Sequence, residues 1–116
     1  MNTLAPGSLL AQSRPANTTA ATAFTATQNT EIVRIVVCNT TGSATTYGLY
    51  HDNDGSTYDQ TTALRYAKAI AANDVDEITC NPGAGYSIAK NGTLGVQTGT
   101  ASALTFSIYG YTGAVR

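Results

Sequence analysis

The stretch from Glu31 to Asp52, EIVRIVVCNTTGSATTYGLYHD, constrains this chain more than any other. Ile32, Val33, Ile35, Val36 and Val37 are β-branched and nearly contiguous. Their stiff χ1 angles disfavour helix and suit a pleated, packed surface. Both parities are apolar except at Arg34, so a strand covered on both faces is expected, as in a sandwich. Asn39-Thr40-Thr41-Gly42-Ser43 supplies turn chemistry, because Asn and Gly tolerate positive φ. Ala44–Tyr50 then alternates, with Thr45, Tyr47 and Leu49 on one face and Thr46, Gly48 and Tyr50 on the other. The pattern predicts a β-hairpin over 31–50. Burying Val33, Ile35 and Val37 would contribute roughly 1.5–3 kcal/mol each.

Before this stretch, residues 1–22 lack usable periodicity, and 1–19 read as an arm. Pro6-Gly7 and Arg14-Pro15 disfavour helix, so an extended N-terminal arm is expected. Leu4, Leu9 and Leu10 are apolar side chains on it. Exposed on a free tail they would favour association, so they are expected to pack on a neighbouring subunit, with Arg14 beside them. Ala20–Thr27 reads as a weak strand with Thr22, Phe24 and Ala26 on one face.

After the stretch, His51–Ser56 is a polar turn. Residues 58–72 fit either a short helix capped by Thr61 or a strand with Leu64 and Tyr66 inward. Val75–Cys80 is a short strand ended by Asn81-Pro82-Gly83. Gly85–Ala89 and Thr93–Thr98 flank Lys90-Asn91-Gly92, the chain's clearest short-range hairpin signal, with Asn-Gly suited to a type I′ turn. Leu94 and Val96 point one way, Gly95 and Gln97 the other. Ala103–Tyr109 alternates, with Leu104, Phe106 and Ile108 inward. Seven or eight short strands with turns between them predict an all-β domain over 20–116, an antiparallel β-sandwich or jelly roll.

Charge narrows the function classes. Only 11% of the 116 residues are charged and the net charge is −1. A nucleic-acid binder needs a basic stripe to neutralise phosphates, and a binder of anionic membranes needs a basic patch. No stretch has the apolar length of a transmembrane helix. Residues 1–16 carry no basic residue before their short apolar segment, which does not fit a secretory signal. The triplets at Asn17, Asn39 and Asn91 match the glycosylation pattern but are common in a Thr-rich chain.

No residue set carries an enzymatic signature. His51 is the only histidine, and beside Asp52 and Asp54 it lacks an activated nucleophile, so a strand-end His is expected. Asp52-Asn53-Asp54-Gly55 with Asp59 resembles part of a calcium loop, but Tyr50 and Thr61 stand where ligands are required, and a turn is the simpler account. A looser oxygen site at these aspartates stays open, as does a bridge between Cys38 and Cys80, which otherwise read as small buried hydrophobes. No cofactor is expected. Seven tyrosines, at 47, 50, 58, 66, 86, 109 and 111, suit strand edges and interfaces, or a sugar-binding face.

The order of these pieces resembles the small capsid decoration, or cement, proteins of tailed bacteriophages. Three segments carry the likeness. The first runs from Gln12-Ser13-Arg14-Pro15-Ala16 to Ile35-Val36-Val37-Cys38-Asn39-Thr40-Thr41. The second is Tyr50-His51-Asp52 with Gly55-Ser56-Thr57-Tyr58 and Thr62-Ala63-Leu64. The third is Leu94-Gly95-Val96-Gln97-Thr98 with Ala103–Gly110. The resemblance implies a non-enzymatic protein made in the bacterial cytoplasm and mounted on the capsid exterior. There it would bind the major capsid protein, as a homotrimer. It equally implies β-modules of phage fibres, necks or tails, where a host glycan would be the partner.

Overall fold

The structure is a computed structural model that describes residues 7–113. Its described residues form nine strands and no helix, so 58–72 resolves to a turn followed by a strand. The strands are β1 (Ser8–Ser13), β2 (Ala21–Thr25), β3 (Thr30–Asn39), β4 (Thr45–Asp52), β5 (Ala63–Ile70), β6 (Val75–Thr79), β7 (Tyr86–Ile88), β8 (Thr93–Thr98) and β9 (Leu104–Thr112).

Two antiparallel sheets pack face to face. One has the order β1-β9-β3-β6, with β7 extending the β6 line along β3; the other has the order β2-β8-β4-β5. The pairings β1·β9, β2·β8, β3·β6 and β4·β5 are nested. The chain therefore behaves as one long hairpin rolled up, and β3·β9 and β4·β8 close the roll. This is the jelly-roll arrangement.

The core lies between the sheets. Ile32, Ile35 and Val37 of β3, Leu49 of β4, Leu94 and Val96 of β8, and Leu104, Phe106 and Ile108 of β9 are almost fully buried in it. The inward set expected for β9 is the one observed, and Tyr47 and Leu49 of β4 and Leu94 and Val96 of β8, each pair expected on one face, lie in the core.

Strand pairing departs from expectation at both hairpins. β3 does not pair with β4; the Asn39–Ser43 corner carries the chain across to the other sheet. Asn39 makes that corner. Its side chain is buried, its Nδ2 donates to the Ser43 and Ala71 carbonyls at 2.8 and 3.0 Å, and its Oδ1 accepts from the Thr41 N–H and hydroxyl. A buried Asn with every bond made leaves no room for a glycan.

The Lys90-Asn91-Gly92 turn likewise joins β7 of one sheet to β8 of the other. A type I′ turn needs positive φ at both central residues. Here the Gly92 N–H bonds the Ala89 carbonyl at 2.8 Å, so Lys90 and Asn91 are central, and only Asn91 has positive φ, at 73°. That is the type II pattern, which does not hold two strands in one hairpin.

β3 is also not covered equally on its two faces. A register shift between Ile32 and Arg34 turns Ile32 and Ile35 to the same side. Arg34 is left exposed and Val36 and Cys38 half-buried on the outer face. Val33 lies within the shift, buried outside the main core, with Gly7 close against its methyl.

Candidate interaction surfaces

The expected arm is partly built into the sheet. β1 pairs along β9 of the same chain, with a bulge between Leu9 and Ala11. The bulge sets Leu10 and Ala11 against the core and turns Leu9 out, 50% exposed. Leu10 is thus covered by its own domain. Leu4 lies outside the described residues. Arg14 donates twice to the Ser102 carbonyl, at 2.7 and 3.2 Å, and once to Thr40 Oγ1, stapling the end of β1 to the β8–β9 turn. Of the three contact residues that are described, Leu9 is the one the fold presents outward as an apolar side chain. It stands on a strand at the end of its sheet, the place where another strand is most readily added.

The aspartates of the 52–59 loop organise backbone. Asp52 is buried at the end of β4 and accepts from the Thr57 N–H at 2.7 Å and the Asp54 N–H at 3.1 Å. The Thr57 bond, above all, holds its carboxyl below the usual range, while the hydrogen bond shared with Asp52 raises that of Asp54. Asp59 turns to Thr61, whose hydroxyl and N–H lower its carboxyl. Among the described residues no three potential His, Cys, Asp or Glu ligands gather. His51 Nε2 lies 3.0 Å from Asn53 Oδ1, which also takes the Ala89 N–H.

Both cysteines are free and half-buried. Cys38 is paired with Val75 at one end of β6, whereas the Cys80 N–H bonds the Val33 carbonyl beyond the other end. Five residues of strand, about 16 Å, separate the two levels, too far for a bridge.

The tyrosines do not share a face. Tyr47 points into the core, and Tyr109 lies beneath the Arg34 guanidinium at 5.5 Å on the outer side of the other sheet. Tyr50, Tyr58 and Tyr66 do converge, on the outer face of the β2-β8-β4-β5 sheet. The register explains how. Tyr50 is paired with Gly95 and Gly48 with Gln97. Tyr50 leans along its own strand over Gly48, and its hydroxyl donates to Gln97 Oε1. The space left above Gly95 is filled by the Tyr58 ring. A Cβ at Gly95 would meet that ring at 2.6 Å. Thr22, paired with Gly95 from the other side, bonds the Tyr58 hydroxyl. Gln97 Nε2 donates to the Thr18 carbonyl at 3.0 Å, closing the edge.

Burial under Tyr58 leaves Tyr50 1% exposed, and desolvation raises its phenol above the ordinary value. Tyr66 of β5 stays 55% exposed at the rim. The result is a groove of about 500 Å³ bounded by Tyr58, Tyr66, Asp59, Ser56, Gln97 and Thr18. Half of this groove is written in the outward parity of Tyr50, Gly95 and Gln97. The loop residues Tyr58 and Asp59 carry no periodic signal that would bring them there.

No family model matches the chain, and neither a curated protein nor a solved structure matches it.

Proposed function

We propose that this protein is a structural component of a tailed-phage virion, a decoration protein that binds the major capsid protein on the capsid exterior and reinforces the shell. The reading rests on the resemblance carried by the three sequence segments, and the feature of the fold it draws on is Leu9, an exposed leucine on the edge strand β1 of the jelly roll. An apolar side chain on a strand that, among the described residues, is paired along one side suits docking by strand addition, in which backbone bonds give affinity and side-chain seats give register. Most large apolar side chains of the domain are buried and its net charge is small, while Val75 on β6, at the opposite edge of the same sheet, is exposed like Leu9. Many identical copies on a repetitive shell would sum weak contacts into firm retention. A homotrimer fits the same reading, because closed symmetry matches repeated capsid positions.

The test is addition of the purified protein to capsids that lack it. Saturable co-sedimentation that Leu9→Ser weakens, with the fold intact, is the expected result. Absence of binding would contradict the reading.

A further inference from the structure

We propose that the groove between Tyr66 and Asp59, on the outer face of the β2-β8-β4-β5 sheet, is a binding site for a neutral saccharide. The site is independent of whether the protein sits on a capsid.

The walls are fixed before any ligand arrives. Tyr58 is seated on Gly95, tilted against Tyr50 with ring centres 5.9 Å apart, and tethered through its hydroxyl to Thr22. Both ends of the Gln97 amide are engaged, one by Tyr50 and one by Thr18. Such preorganisation lowers the entropy lost on binding. The groove is open along one side, so a ligand would lie along it rather than be enclosed.

Onto these walls the fold sets two kinds of open group. The first is the ring of Tyr66, an amphipathic surface with a polar tip. The second is the Asp59 carboxylate. Its Oδ1 accepts both bonds from Thr61, and the residue is exposed where it lines the groove, so the carboxylate is within reach of a ligand. Sugars offer the complement of this pair, a C–H face to lie on an aromatic ring and vicinal hydroxyls to donate to a carboxylate.

The same geometry argues against two other ligand classes. An anionic sugar would face the Asp59 charge. A quaternary ammonium needs several ring faces converging on it. Here one face of Tyr58 is spent on Gly95 and Tyr50 is sealed beneath, so Tyr66 is the open platform.

The experiment is a glycan array probed with the full chain. The strongest neutral oligosaccharide is then titrated calorimetrically against the wild type, Tyr66→Ala, Asp59→Asn and, as a control on the opposite sheet, Tyr109→Ala. All four are compared for melting temperature. Expected is neutral-glycan binding that Tyr66→Ala and Asp59→Asn each weaken by about tenfold or more, with the control and the folds unchanged. An empty array, a preference for anionic glycans, or affinity indifferent to both groove substitutions would overturn the proposal.

Discussion

Tyr47 of β4 donates its phenol hydroxyl to Asp76 of β6, joining the two sheets of the sandwich at their β5–β6 edge. Lys68 of β5 meets the same carboxylate at 2.9 Å. Lys68 first, and Tyr47 second, hold the Asp76 carboxyl below its ordinary range. Burial first, and the Asp76 hydrogen bond second, push the Tyr47 phenol up.

A pH dependence follows from this clamp. The folded Asp76 carboxyl is depressed, so its contribution is present above the unfolded carboxylate value and is lost as pH falls through the folded one. Denaturant midpoints measured from pH 7 downward should decline below the ordinary aspartate range. Asp76→Asn should lower stability at pH 7 by roughly 1–2 kcal/mol and flatten part of the acid decline. On the alkaline side the raised Tyr47 phenol makes stability fall as pH rises past the ordinary tyrosine range. Tyr47→Phe should remove that component, and identical pH curves for all three proteins would contradict the clamp.

Neighbouring positions on β3 should differ sharply. Ile35 is fully buried between the sheets, and Val36 is half-buried on the outer face. Ile35→Ala should cost about 2–5 kcal/mol in urea unfolding, whereas Val36→Ala should cost well under half as much. Equal losses would mean that β3 is covered on both faces after all.

The Asn39 corner makes a prediction that the sequence pattern alone does not. Asn39→Ala leaves the Ser43 and Ala71 carbonyls without their donor in a buried corner. The expected cost is roughly 1–3 kcal/mol by denaturant titration, despite the substitution being small and the turn outwardly ordinary.

That corner also shows where reading the sequence stops. Alternation states which side chains share a face, and it correctly separates Tyr47 and Leu49 from Gly48 and Tyr50, and Leu94 and Val96 from Gly95 and Gln97. It does not state which sheet a strand joins, because a strand's period is the same in either sheet. Both tight turns therefore read as hairpins and both prove to be crossings. The shift at Ile32–Arg34 is likewise invisible in a run where nearly every residue is apolar. Tyr47 and Asp76 are 29 positions apart and meet only because the roll brings β4 over β6.

Leu9 and Leu10 are adjacent but have opposite environments. Leu10→Ser should lower the melting temperature, because that side chain packs on the core. Leu9→Ser should leave melting unchanged while weakening association with capsids or with other copies. If Leu9→Ser unfolds the protein, the bulge does not present it outward.

The most direct test of the decoration role is the abundance of this protein in purified virions, measured by quantitative mass spectrometry against the major capsid protein. The account predicts a copy number near that of the shell's repeating positions. A count far below it would place the protein in a fibre, neck or tail, and absence from the particle would contradict a virion role altogether.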